Sequence, residues 1–312
     1  MKKLKRGLII QGPIISIGRT GKTASITFSQ VKKEHIVKFN CIDNIVKIFN
    51  TYQSVFDHIV CVSWEGQDPS LIEKLKDLIP DGCLLIIKDT TKKINPKGKV
   101  IPGNNKYRQF LSIYEGSKVL SELGCSYIAK IRSDQYFDLE LLMNDAVYKL
   151  ENEKRSVVLV PWANIKNSFS VFEIPDHYFV ARAGEMLAFS KEYLDLPEIT
   201  AHIHTDIFYK WRLRSYCNIS LVKSYIYFFG RFGNNTLMSL FINNKVSKGF
   251  FIPLDGKILK NFFWRGERLI IDDYFFSDLE IDYAKVNRTN LGFVSEKIIR
   301  KLARSITKSN TL

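Results

Sequence analysis

The sequence predicts an α/β protein, with a mostly parallel central sheet flanked by helices and a C-terminal extension of helices and loops. Three observations predict it. Strand-like and helix-like stretches alternate over roughly the first 160 residues, the pattern of βαβ units. HIVCVS (58–63) is a continuous apolar run, as expected of a strand covered on both faces. A long amphipathic stretch, Asn105 to Leu123, is closed by Gly124 in the position of a helix cap.

Taken in order, Gly7 to Ile10 is a short apolar strand broken by Gly12-Pro13. Cys41 to Phe49 has helical spacing, with Ile42, Ile45, Val46 and Phe49 on one face. The strand at 58–63 follows, then a helix over Pro69 to Leu78, with Asp68 or Pro69 as its start signal. Leu84 to Ile87 is the next strand, and Asp89 to Gly103 reads as a polar loop bearing Lys and Gly. After the long helix, Tyr127 to Ile131 is a buried strand ending in Arg132-Ser133-Asp134. Leu139 to Leu150 returns to helix and Val157 to Val160 to strand. Beyond residue 165 the periodicity blurs, and the aromatic runs at 225–232, 250–251, 262–264 and 274–276 read as core. The tail SEKIIRKLARSITK (295–308) is a basic amphipathic helix, suited either to an anionic membrane surface or to packing on the body.

With 312 residues the chain is long enough to bury a core without disulfide staples. Its 46 % hydrophobic and 25 % charged residues exclude disorder, collagen and coiled coil. The balance of 46 basic against 32 acidic residues, net +14, calls for an anionic partner. Five cysteines at 41, 61, 83, 125 and 217 form no C-x-x-C pair, which fits free thiols in a reducing cytoplasm. The apolar run behind the basic start is too short for a signal peptide, and nowhere do 18 apolar residues follow one another.

In parallel sheets ligands bind beyond the carboxyl ends of the strands. That rule nominates Gln11-Gly12-Pro13, Ser63-Trp64-Glu65-Gly66 and Arg132-Ser133-Asp134, each directly after a strand. Asn105, Arg108, Gln109 and Ser112 open the long helix behind a Lys-rich loop, and a helix start offers free N–H groups to an anion. SIGRTGKT (16–23) nearly spells a phosphate-cradling P-loop, but Ser16 stands where Gly is needed and 24–31 alternates like a strand, so it reads as a hairpin turn. His202, His204 and Asp206 would share one face of a strand and could then hold a metal; on a helix starting near Thr205 they would not, and 208–214 reads as helix.

On LIIQGPI (8–14), IVCVSWEGQD (59–68), NNKYRQFLSIYEGSKVL (104–120) and YIAKIRSDQYF (127–137), the chain resembles the WavE lipopolysaccharide synthesis family of bacterial GT-A-type glycosyltransferases. PDHYFVARAGEMLAFS (175–190) is similar, more loosely, to the acceptor-side segment of related transferases. The resemblance covers about the first 190 residues; its motifs are moderately specific as a set and weak singly, and the last 100 or so carry none. It implies a GT-A-like, Rossmann-like domain and transfer of a sugar from a nucleotide-sugar donor to a lipopolysaccharide or other surface glycan. Such transferases often hold a divalent cation, Mg or Mn, on an Asp-x-Asp pair. This chain has Arg132 where the first Asp would stand, leaving Asp134 as the metal candidate and Arg132 as a group for phosphate or for Asp134 itself.

The expected donor site is therefore Gln11, Gly12, Trp64, Arg108, Arg132 and Asp134, with Gly12 letting backbone approach the nucleotide. For an inverting transfer the catalytic base is expected at Asp206, with Asp176 second. Residues 1–230 are expected to form the catalytic domain and 231–312 an extension packed on it. The expected partners are the nucleotide sugar, a lipid-linked or oligosaccharide acceptor and an anionic inner-membrane surface, with no nucleic acid and with a cytoplasmic, peripheral location. A glycan phosphotransferase and a non-catalytic basic binder of nucleic acid or membrane stand as alternatives.

Overall fold

A computed structural model describes residues 4–23, 31–90, 92–94, 100–102, 105–161, 176–195, 251–253, 258 and 261–269. One compact unit gathers residues 1–162, 175–198 and 252–271. The expected boundary near residue 230, Asp206 with its two histidines, and the tail at 295–308 lie outside the described residues.

The chain opens with β1 (Lys5–Gln11), β2 (Ile15–Gly18) and β3 (Val37–Asn40), followed by helix α1 (Ile42–Tyr52). Strand β4 (His58–Trp64), helix α2 (Pro69–Leu78) and strand β5 (Leu84–Ile87) continue it. Short strands β6 (Lys92–Ile94) and β7 (Val100–Pro102) lead to the long helix α3 (Asn105–Glu122). Then come β8 (Cys125–Arg132), β9 (Gln135–Tyr136), α4 (Leu139–Asn152), β10 (Val158–Val160), β11 (Phe179–Arg182) and α5 (Ala183–Asp195). The last described strands are β12 (Phe251–Pro253), β13 (Phe263–Trp264) and β14 (Glu267–Arg268).

The central sheet has the order β12-β10-β11-β8-β1-β4-β5. β8, β1, β4 and β5 are parallel neighbours, and β11 runs against both β8 and β10. The expected mostly parallel α/β sheet is present. Two of its helices start where local chemistry says they should. Asp68 caps α2 by accepting from the Ser70 backbone N–H at 2.9 Å, with Pro69 in the first turn. Asp138 caps α4 through the Leu141 N–H at 2.8 Å.

Because strand side chains alternate, each face of the sheet takes a different set of helices. Leu8, Ile10, Cys61, Ala129, Ile131 and Val180 join Ile42, Ile45 and Phe49 of α1, Leu75 of α2 and Leu142 and Met143 of α4 in one buried cluster. On the opposite face Gly7 and Ile9 lie under Leu120 and Gly116 of α3. There Phe110 of α3 stacks on Tyr193 of α5 at 3.6 Å between ring centroids. Helices thus cover both faces, and α3 starts at the edge where the parallel strands end.

Three features depart from the sequence reading. The polar loop at 89–103 contains the β6–β7 hairpin. Ser16 to Gly18, expected within a hairpin turn, is strand, paired antiparallel with β3. The extension expected as helices and loops supplies β12 and the β13–β14 hairpin, whose β13 pairs with β9.

Candidate functional site

From β1 the chain moves to β4 and β5 on one side, then returns past β1 to β8 on the other. The carboxyl ends of β1 and β8 therefore flank a topological switch point, where an open α/β sheet leaves a crevice for ligands. Gln11 ends β1, in register with Val62 of β4 on one side and Arg132 of β8 on the other. Register places the Gln11, Val62 and Arg132 side chains on the α3 face. Trp64 follows by alternation, and its ring faces the Arg108 guanidinium of α3 at 5.4 Å.

Gly12 turns the chain out of β1. A Cβ there would collide with the Ser133 hydroxyl, and its φ of +148° is one that side-chain-bearing residues rarely adopt. The residue is glycine because Ser133 crosses it, with the Ser133 Oγ donating to the Pro13 carbonyl at 2.9 Å. That is a different reason from the approach of a nucleotide. Asn44 of α1 braces the same turn, its amide donating to the Ser133 and Gln135 carbonyls at 2.7 and 2.8 Å.

Asp134 is the centre of the arrangement, and it is only 2 % exposed. Arg132 grips it with a fork: Nε donates to Oδ1 and Nη2 to Oδ2, both at 3.1 Å. The same Oδ2 accepts from the Ser16 hydroxyl at 2.7 Å, the Trp264 indole N–H at 3.1 Å and Arg265 Nη2 at 3.0 Å. Burial alone would raise the carboxyl's pKa, but Arg132 and Arg265 outweigh it and hold the group well below the usual carboxylate range.

Arg265 arrives from far along the sequence. It sits with Gly266 in the two-residue turn between β13 and β14, with φ of +50° and +79°. Both positive angles match the tight turn that fits strand twist, in which Asn, Asp or Gly rather than a long side chain usually takes the first position. The conformation is over-determined by contacts. Its N–H donates to the Asp134 carbonyl at 2.8 Å, Nε donates to Ser16 Oγ at 3.0 Å, and Nη1 bonds the Arg19 carbonyl. Gly18 leaves the room, since a Cβ there would stand 2.8 Å from the guanidinium carbon.

A second group lies where β11 meets β8. Asp176, 4 % exposed, accepts from Arg132 Nη1 at 3.2 Å through Oδ2. Its backbone carbonyl accepts from Lys130 Nζ at 2.6 Å. Lys130 is fully buried over the Phe179 ring, and burial pulls its pKa down to about 7. His177 stands half-buried beside them, its Nδ1 2.8 Å from Gln135 Nε2 and its ring edge-on to Phe262 and Trp264.

Of the residues nominated from sequence, Arg132, Asp134 and Asp176 form one connected ion-pair cluster, with Gln11 beside Arg132 in the sheet. Trp64 and Arg108 form a second group with Asp89, which pairs with Arg108 at 2.6 Å. Gln11, 5 % exposed, lies on β1 between β4 and β8, and its Oε1 has no hydrogen-bond partner among the described residues. Ser16, Asn44, Lys130, Gln135, Trp264 and Arg265 were missed. For the last two a signal existed: WRGE between apolar residues is a turn sequence with Gly.

The metal expectation can be tested against this donor set. Oδ1 of Asp134 accepts from Arg132, Oδ2 accepts from both guanidiniums, the Ser16 hydroxyl and the Trp264 indole, and a cation would stand among two positive charges. Among the described residues no group of three or more His, Cys, Asp or Glu side chains is placed to hold a metal ion. The residues present at Asp134 do not fit a divalent cation. Nor is any helix among the described residues long and apolar enough to cross a membrane.

No family model and no curated protein matches the chain. Solved structures do resemble it. A candidate nucleotide-diphospho-sugar transferase from Desulfovibrio desulfuricans G20 shares 10 % identity and a TM-score of 0.40, covering 80 % of this chain and 99 % of its own. A 4-diphosphocytidyl-2C-methyl-D-erythritol synthase from Anaerococcus prevotii DSM 20548 shares 12 % identity and a TM-score of 0.37, over 64 % of this chain and 79 % of its own. A mannose-1-phosphate geranyltransferase from Thermus thermophilus shares 11 % identity and a TM-score of 0.35, over 71 % of this chain and 68 % of its own.

Proposed function

We propose that the chain is a glycosyltransferase that moves a sugar from a nucleotide-sugar donor to a lipopolysaccharide or other surface-glycan acceptor. The observation that carries the reading is the Arg132–Asp134–Arg265 cluster at the β1/β8 switch point, a preorganised set of N–H donors where such a sheet takes its ligand. In this reading the donor's phosphates meet Arg132, the nucleoside lies along Gln11, Gly12 and Trp64, and Arg108 closes the α3 side. The acceptor class and the inner-membrane workplace rest on the resemblance of 8–14, 59–68, 104–120 and 127–137. So does the division into a catalytic domain at 1–230 and an extension at 231–312.

In an inverting transfer the acceptor hydroxyl oxygen bonds the anomeric carbon as the bond from that carbon to the phosphate oxygen breaks. The electron pair leaves with the nucleoside diphosphate, and the hydroxyl proton passes to a base. Asp176 is engaged with Arg132, so its part is to hold that guanidinium, and the base is assigned to Asp206. A panel of nucleotide sugars tests the reading by protection against unfolding: a ligand at a hundred times its Kd adds about 2.7 kcal/mol to native stability. Protection by one donor class is the expected result. If nucleic acid alone protects, with steep salt dependence, the chain is a basic binder instead. With the donor known, Asp206→Asn is expected to lower turnover roughly a hundredfold or more while leaving donor binding unchanged.

A further inference from the structure

We infer that the crevice between β1 and β8 binds a nucleoside diphosphate without a divalent cation, the Arg132 guanidinium taking the place a cation would fill. The inference rests on the transferase reading and names how that site meets its anion.

Three observations carry it. First, five donors from Ser16, Arg132, Trp264 and Arg265 converge on the Asp134 carboxylate, four of them on Oδ2 and Arg132 Nε on Oδ1, so a cation there would have to stand among two guanidiniums and displace one of these bonds. Second, the other carboxylate of the cluster, Asp176, accepts from Arg132 Nη1, so both acidic groups are tied to the same guanidinium. Third, Arg132 keeps capacity in reserve. A guanidinium carries about five N–H donors, and Asp134 and Asp176 use three of them. Its side chain is 23 % exposed, against 6 % for Arg265, so Arg132 is the one of the pair an oxyanion can reach from solvent.

The charge balance says how such a site would work. Two guanidiniums face two carboxylates, which leaves the cluster near neutral apart from Lys130. Attraction then comes less from net charge than from N–H groups held in fixed directions. Asp134 is a positioning residue in this scheme. It holds the planar fork of Arg132 still, so that the remaining donors need no reordering when the phosphates arrive.

The experiment uses the full chain with UDP, GDP, CDP and ADP as probes. Thermal protection and calorimetric affinity are measured once in EDTA and once with Mn2+ or Mg2+, and the electron paramagnetic resonance of Mn2+ is followed with and without nucleotide. The expected result is protection by at least one diphosphate with affinities in EDTA and in cation within about threefold, and no Mn2+ bound by the protein itself. Arg132→Gln and Arg132→Lys should each weaken the nucleotide at least about tenfold, the lysine because it keeps the charge and loses the fork. Since Arg132→Gln removes one of the two guanidiniums on Asp134 and the ion pair to Asp176, and can unfold the chain, the comparison on unaltered protein decides. Protection that appears only with the cation, or Mn2+ held by the protein, overturns the inference and leaves the transferase reading standing. No protection by any probe in either condition removes that reading, and the inference with it.

Discussion

Replacing Asp134 with Asn keeps the shape of the side chain and removes its charge, which isolates what the carboxylate does for the fold. In the native protein that charge lies 3.0–3.1 Å from nitrogens of two guanidiniums, with Asp134 2 % and Arg265 6 % exposed at the side chain. The amide would leave Arg265 buried without its counter-charge and would turn an NH2 group toward one of the incoming donors. Breaking one partner of a buried ion pair costs about 3–5 kcal/mol. Against a total stability of about 5–15 kcal/mol, that is a large share. The expected loss at pH 7 is about 3–5 kcal/mol in urea unfolding, or roughly 6–20 °C in Tm. The pH dependence supplies a sharper check. Asp134 has a folded pKa held below its unfolded value, so its contribution is complete above about pH 4 and is lost as pH falls toward the folded value. The gap between unaltered protein and Asp134→Asn should therefore narrow below about pH 4. A variant within about 1 kcal/mol of the unaltered protein at pH 7, or a gap of constant size down to about pH 2.5, would refute the reasoning.

Gly12→Ala should cost about 2–4 kcal/mol, because the new methyl meets Ser133 Oγ at a φ that alanine rarely adopts; Ser133→Ala in the same chain should recover part of the loss, and no recovery would move the cause to the backbone angle alone. Lys130 has a folded pKa near 7, below its unfolded value near 10.4, so the unfolded chain binds more protons between those values and stability should rise with pH across that window. Lys130→Met should lack that rise, a difference of up to about 1.4 kcal/mol per pH unit, and parallel pH profiles for the two proteins would contradict the assignment. Burial pushes the Cys41 and Cys61 thiols up to about 12 and Cys125 to about 11, so of the four described thiols Cys83, the half-buried one, should react first with a maleimide in native protein at about pH 8; labelling of Cys61 before Cys83, read by peptide mass, would contradict its burial.

How much of this could be read from the chain depended on range. The helix at Pro69–Leu78 and the strand at Leu84–Ile87 are where the sequence reading places them, since Asp68-Pro69 and an apolar run are local signals. The three strand ends were legible for the same reason, and the sheet order then set Gln11 between Val62 and Arg132. Ser16 and Arg265 were not legible, because their meaning lies in meeting Asp134 across the fold. Ser16 was weighed only as a defective P-loop position, and the aromatic run ending at Trp264 only as core. Phe262 is indeed core, fully buried against Phe137, but two residues on the indole N–H reaches Asp134. Asp134 itself was found for its position, while most of its neighbours stayed hidden: what distinguishes a metal ligand from an anchor for arginine is which donors arrive, and those come from three separate stretches of chain.

The hairpin that carries Arg265 also sets a timetable. Asp134 and Trp264 are 130 residues apart, and Ser16 and Arg265 are 249 apart. At about 5–20 residues per second of synthesis, Asp134 leaves the ribosome roughly 6–26 s before the indole that will bind it. Over that interval β1, β4, β5 and β8 can already pair, and Arg132 alone neutralises the carboxylate. The nascent chain can therefore hold β8, β1, β4 and β5 paired around an unfinished centre, which the arrival of Trp264-Arg265 completes. Closing so long a loop is entropically slow, and such pairings come late in folding. Ligand competence should accordingly lag behind the burial of the core on the ribosome, with residues 261–269 marking the moment at which the two coincide.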